Sequence, residues 1–241
     1  MYCGGTKPDA SWTANNYYEL AKEKYDDEDY YESVSDFTVV LLRFAGSNVA
    51  DSAQYYLADS HFEMGDHLIA AVEFERLVST MSQSSLVPKA QLRMAESYFE
   101  LSPRSVLDQE YTLKAIRAYQ TFIEDFPTHE SKEKAQSQIS VLRNKLAEKE
   151  YINAEIYRKM DEYKAAIVYF DQVITKYYET DWVDDAQLGK VNTYIRAEDI
   201  DQAKIELVKF EQQYPDSSDL VEELKEIKKD IIDLEQELAK K

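Results

Sequence analysis

AEIYRKMDEYKAAIVYF, residues 154–170, decides the fold. Ala154 stands three residues before Tyr157. Twelve residues further on, Ala166 stands four before Phe170. A small residue lets two helices approach closely, and a large one a turn later fills the gap between neighbouring hairpins. The later mark recurs as Ser33/Phe37, Ala70/Phe74, Ala115/Tyr119 and Ala203/Leu207. The earlier one recurs as Tyr17-x2-Leu20-Ala21, Leu57-Ala58 and Met94-Ala95-x2-Tyr98.

The later marks are spaced by 37, 45, 51 and 37 residues, close to the 34-residue tetratricopeptide period with insertions. Five Gly and five Pro in 241 residues leave little to punctuate a β-rich chain. The spacing predicts an all-α tetratricopeptide-repeat solenoid of five helical hairpins closed by a C-terminal capping helix. The 19 tyrosines suit it, each ring packing between helices with its hydroxyl at the wet edge.

The formal charge of −19 repels nucleic-acid phosphates and anionic lipid headgroups, so nucleic acid is excluded as a partner. A single cysteine, Cys3, rules out a disulfide framework or multi-cysteine metal site within the chain. Phe37–Phe44 (FTVVLLRF) is too short to span a membrane and reads as a packed second helix.

Residues 1–13 lack periodicity and read as a flexible tether. Residues 14–129 form a three-hairpin N-terminal half, and 130–241 a two-hairpin C-terminal half. The first helix is expected over 14–26. Gly65 suits the left-handed position that ends a helix, with Asp66 as the next N-cap. The third hairpin stops at Ser102-Pro103 and resumes near Tyr111. Its small marks, Ala95 and Ala115, are 20 residues apart, so about eight residues, roughly Pro103–Glu110, are inserted. Glu130–Met160 has neither Gly nor Pro and predicts one long helix, or two nearly continuous ones, joining the halves. In the fifth hairpin Leu188-Gly189 is the best first-helix match. The last helix carries Leu220, Leu224, Ile227, Ile231, Leu234 and Leu238 at 4-3-4-3-4 steps, a narrow apolar seam. That seam is longer than one hairpin helix covers, so Ile231, Leu234 and Leu238 are expected to stay exposed for a partner subunit. The rival is a cap folded back along the long helix.

No catalytic chemistry emerges. The glycines are too scattered for a phosphate loop, His61, His67 and His129 do not make a metal-ligand pair, and acidic pairs such as Asp184-Asp185 suit helix ends. The expectation is a non-enzyme with no catalytic residues, metal or cofactor.

Phe122-Ile-Glu-Asp-Phe126-Pro127 and Phe210-Glu-Gln-Gln-Tyr214-Pro215 both end a helix with aromatic-Pro, which is similar to hairpin ends of bacterial periplasmic tetratricopeptide lipoproteins. Cys3-Gly4-Gly5 before a polar tail looks like the mature start of a lipoprotein acylated on the cysteine. Residues 115–157, with FPTHESKEKAQSQISVLRNKLAEKEYINAEIY, resemble the BamD family of the outer-membrane β-barrel assembly machinery. Tail, hairpins, insertion and long helix fit that family over essentially the whole chain. Only Met1-Tyr2 precede Cys3, and the expectation is a chain starting at its processed site behind a replacement Met.

The resemblance implies a scaffold on the periplasmic face of the outer membrane, held there only by the lipid on Cys3. Its partners would be the barrel-forming subunit, docked by the C-terminal hairpins, and C-terminal peptides of unfolded barrel proteins, bound by the N-terminal ones. Lys89 and Arg93 look like one half of the carboxylate clamp of some chaperone-binding tetratricopeptide domains. The other half is unmatched, with Tyr18, Lys22 and Tyr56 where Lys and Asn would stand. Such a pair would receive a peptide carboxylate, with Tyr18, Tyr55, Tyr56 and Tyr98 offering rings. Two alternatives are another periplasmic adaptor, tied to the cell wall or Tol–Pal, and a regulatory domain of an enzyme complex.

Overall fold

A computed structural model describes residues 11–213 and 221–240. Among these it holds eleven helices and no strand. They are α1 (Ala14–Asp26), α2 (Tyr30–Arg43), α3 (Ala50–Glu63), α4 (His67–Thr80), α5 (Val87–Glu100), α6 (Glu110–Asp125), α7 (Lys132–Lys159), α8 (Tyr163–Lys176), α9 (Val183–Arg196), α10 (Ile200–Gln213) and α11 (Val221–Leu238). The expected hairpins are α1/α2, α3/α4, α5/α6, α7/α8 and α9/α10. The stretch read as one or two long helices is a single helix of 28 residues.

Four hairpins reverse in the same way. One residue, five before the small mark, takes positive φ: Glu28 (64°), Gly65 (82°), Asp161 (60°) and Glu198 (57°). The next N–H donates to the carbonyl five residues back, Asp29 to Lys24 at 2.8 Å, Asp66 to His61 at 2.9 Å, Glu162 to Tyr157 at 3.0 Å and Asp199 to Tyr194 at 2.9 Å. That is the six-to-one bond of a Schellman cap. Asp66 does precede α4, but its side chain does not cap the helix. Its carboxylate lies 3.6 Å from His61 instead.

All five small marks are fully buried. Ser33 stands where the others have Ala because its hydroxyl shares a 2.8 Å hydrogen bond with Ser60 of the next hairpin. A third position, absent from the sequence-based pattern, completes the packing rule. Sixteen residues after each of the first four large marks comes another buried Ala: Ala53 after Phe37, Ala90 after Phe74, Ala135 after Tyr119 and Ala186 after Phe170. Phe37 shares a cluster with Ala53, Phe74 with Ala90, and Phe170 with Ala186. Each of these rings therefore seats on a small residue of the following first helix. Gly189 extends this seat, since a Cβ there would lie 2.6 Å from the Phe170 ring.

The chain forms two compact units. Of the described residues, one holds those up to Pro103 together with Gln109–Leu142, the other Arg104–Asp108 with those from Arg143 onward. The division falls inside α7 rather than at 129/130. Lys134 in its first turn is bonded to Glu96 of α5, whereas Ala147 and Ala154 pack with α8 and α9. The inserted residues 104–108 group with the second unit, where the Leu107 carbonyl accepts a hydrogen bond from Lys149 at 2.6 Å.

Candidate functional site

In the first unit α1, α3 and α5 lie side by side as the first helices of successive hairpins. The helical repeat aligns residues about 34 positions apart on their shared face, and there the charged and aromatic side chains interlock. The Tyr25 hydroxyl donates to Asp59 at 2.6 Å, and Arg93 Nε donates to the other oxygen of Asp59 at 2.6 Å. Arg93 also pairs with Glu63 at 2.7 Å and Glu96 at 3.3 Å. Glu96 in turn accepts from Lys134 at 2.7 Å. The guanidinium stacks 3.7 Å from the centre of the Phe62 ring. Burial works against the Arg93 charge, yet the neighbouring carboxylates, Asp59 first, outweigh it and raise its pKa.

This arrangement corrects the reading of Arg93. Its expected role leaves the guanidinium open to an incoming carboxylate, but three carboxylates of the chain already surround it. Asp59 is only 8% exposed at its side chain, and a buried carboxylate requires a fixed cation. Lys89 differs. It is exposed, its ammonium rests 4.6 Å from the Tyr55 ring centre, and no carboxylate among the described residues pairs with it.

The tyrosines separate in the same way. Tyr55 is buried against Phe74 and belongs to the core, so it offers no ring to a ligand. Tyr18 and Tyr56 are half-buried. Their rings are 6.4 Å apart, both against Phe37, and Lys22 sits 4.7 Å above Tyr56. Burial, then the neighbouring Tyr56 and Glu19, pushes the Tyr18 pKa up to about 12, so it stays a neutral donor. Tyr98 lies apart, stacked on Tyr111 at 6.5 Å.

Asp59 and Tyr25 did not stand out in the sequence. Their signal is positional, since Asp59 is 34 residues from both Tyr25 and Arg93, the repeat period itself. Cys3 and Leu220 lie outside the described residues.

In the second unit, Ile231 is buried, contrary to expectation. With Ile227 it packs on Leu188, Val191, Ala203, Leu207 and Phe210 of α9 and α10. Leu234 and Leu238 are half-buried, and Ile232, off the predicted seam, is the exposed one. Its contacts include α9 and α10. Among the described residues no group of His, Cys, Asp or Glu side chains could hold a metal ion. Among them, too, no helix is long and apolar enough to cross a membrane.

A family model described as YfiO, outer membrane lipoprotein, matches residues 10–197. No curated protein sequence matches the chain. Among solved structures it is similar to a thermophilic TPR protein of Thermus thermophilus, with 16% identity over 89% of this chain and 98% of that one and a TM-score of 0.39. The TPR2AB domain of yeast Sti1, solved in complex with pHSP90, is 11% identical over 90% and 98%, with a TM-score of 0.44. A tetratricopeptide repeat protein from Parabacteroides merdae is 14% identical over 81% and 78%, with a TM-score of 0.41.

Proposed function

The chain belongs to the YfiO family of outer membrane lipoproteins, and from that premise we propose that it is the lipid-anchored scaffold of a β-barrel assembly machine. In this reading Cys3 carries the lipid, the first unit receives extended peptides from unfolded barrel proteins, and the second unit docks the barrel-forming subunit. The observation that carries it is the family match over residues 10–197. The geometry adds a face of first helices with half-buried tyrosines and, in Lys89, a cation that no described carboxylate neutralises. Such a surface is suited to holding an extended chain rather than to chemistry.

The peptide-binding residues are then Lys89, Tyr18 and Tyr56, with Arg93, Tyr25 and Asp59 holding the three first helices in register beneath them. A single cation binds a terminal carboxylate with one charge-assisted bond, worth about 1.5–3 kcal/mol. Most of the affinity would come from ring contacts and backbone hydrogen bonds.

Purification of the tagged chain from its native outer membrane, with partners identified by mass, tests the assembly role. Recovery of a barrel-forming subunit supports it. Recovery only of cell-wall or Tol–Pal components favours the adaptor reading. For the peptide site, a barrel-derived C-terminal peptide is titrated as free acid and as amide against wild type and Lys89→Ala. Loss of affinity on amidation in wild type alone supports the site. Equal affinities in all four titrations sink it.

A further inference from the structure

The groove that α9 and α10 present to α11 points to a second binding site, independent of the function proposed above. We infer that it is a docking site for a basic amphipathic helix of a partner protein, and that α11 occupies it in cis and gives way to that helix.

First, α11 is a poor copy of what the groove is built to receive. At four junctions the helix that follows a hairpin offers a buried Ala sixteen residues after the large mark: Ala53, Ala90, Ala135 and Ala186. Sixteen residues after Leu207 the sequence has no Ala but Glu223. The groove is met instead by two β-branched side chains, Ile227 and Ile231, with Leu224 partly buried beside them. β-Branched residues hold two helices further apart than Ala does.

Second, the hold is thin. Where α3 buries eight residues and α9 six, the described side chains of the α11 seam that are buried are Ile227 and Ile231. Among the described residues its ion pairs to α10 are Lys204–Glu235 and Lys228–Glu211, all four side chains more than a third exposed. Exposed pairs of this kind contribute little and are screened by salt.

Third, the charge is unfavourable. α11 carries seven carboxylates against three lysines, and the rest of the chain, whose total charge including this helix is −19, is itself acidic. A helix with the same apolar seam and the opposite balance would be attracted where α11 is repelled. The same charge argues against a second copy of this chain, whose α11 would bring the same repulsion. Helix-in-groove recognition needs only apolar anchors at i, i+4 spacing, and Ile227 and Ile231 show where they seat.

The test uses the full chain and a labelled 20-residue helical peptide that keeps Leu224, Ile227, Ile231 and Leu234 in register and has Lys in place of the flanking carboxylates. In wild type the tethered α11 competes at high effective concentration. In Ile227→Glu/Ile231→Glu it does not. The double variant is expected to bind the peptide at least tenfold more tightly than wild type, more weakly as salt rises, and not at all when the peptide carries Glu at its own two Ile positions. Equal binding of the Glu-bearing peptide would mean adsorption by charge alone and overturn the site, as would no binding by a double variant that keeps its helical circular dichroism. Concentration-dependent dimers of the wild-type chain that resist the basic peptide would mean that the occupant is a second copy, against the inference. Hydrogen exchange on wild type needs no variant: α11 amides should exchange at least a hundredfold faster than those buried in α9 and α10. Exchange of all three helices at one common rate would show that α11 never leaves alone and would refute the inference.

Discussion

Replacing Arg93 by Met decides whether that residue holds the fold or waits for a ligand. The substitution keeps most of the side-chain length and its contact with Phe62 but removes the charge. Asp59, 8% exposed, then loses its ion pair while retaining the Tyr25 hydroxyl. Removing one partner of a buried pair costs about 3–5 kcal/mol, because the remaining charge stays desolvated. Glu63, 39% exposed, adds little, since water screens it. Glu96 keeps Lys134 and adds little as well. The expected loss is therefore ~3–4 kcal/mol, set almost entirely by Asp59. The two tryptophans, Trp12 and Trp182, give a clean assay, because Trp182→Phe leaves Trp12, packed on Tyr17, as the reporter of the first unit. Urea unfolding by its fluorescence should show the loss, and Asp59→Asn in the Arg93→Met background should restore most of it by removing the orphaned charge. A loss below about 1 kcal/mol together with a fall in peptide affinity would refute the reasoning and make Arg93 a ligand contact. A double variant no more stable than Arg93→Met would refute the assignment of the cost to Asp59.

Three further outcomes follow from the packing and the charges. Gly189→Ala gains about 1 kcal/mol of helix propensity but sets a Cβ 2.6 Å from the Phe170 ring, overpacking that costs about 1–3 kcal/mol. The second unit, read through Trp182, should melt lower, and Phe170→Leu should relieve the clash; a higher melting point for Gly189→Ala alone would show that the ring yields freely. At Asp161 and Glu198, φ of 60° and 57° costs a non-glycine residue roughly 1–2 kcal/mol. Each change to Gly should therefore raise stability by ~0.5–1 kcal/mol after the unfolded chain's extra entropy is counted, whereas a decrease would mean that the side chain is needed at the turn. Burial pushes the Glu206 carboxyl up, but Lys209 and Lys190 outweigh it and hold its pKa below the ordinary 4.5. Its contribution is then fully present above pH 4.5 and lost as pH falls through the lower folded value. Glu206→Gln should lower stability at pH 7 and flatten the acid limb of the stability profile below about pH 4.5, and an unchanged limb would remove Glu206 from the acid response.

The hairpins were legible because tight helix packing admits few residue types. Two helices approach closely only where a small residue faces the contact, and a large residue one turn on fills the space beside it, so Ala166/Phe170 and its counterparts stand out at fixed spacing, and all five small marks are buried. The face was less legible, for a reason rooted in chemistry. Charged residues occur everywhere on a helical surface, and only the companions opposite decide whether one is open or spoken for. Lys89 and Arg93 are four residues apart on one helix and look alike in sequence. Residues 34 positions from Arg93 and 30 positions from it, Asp59 and Glu63, take its charge, and none among the described residues takes that of Lys89. The terminal seam failed differently. Steps of four and three say that a helix is amphipathic, but not how far its partner extends or how the axes cross. A groove two hairpin helices wide takes Ile227 and Ile231 and leaves Leu234 and Leu238 at its rim. Among the described residues, one face of an acidic helix is thus seated by Ile227 and Ile231 with Leu224 partly buried beside them, and the seven carboxylates of that helix flank a seam that a basic helix would fill with less repulsion.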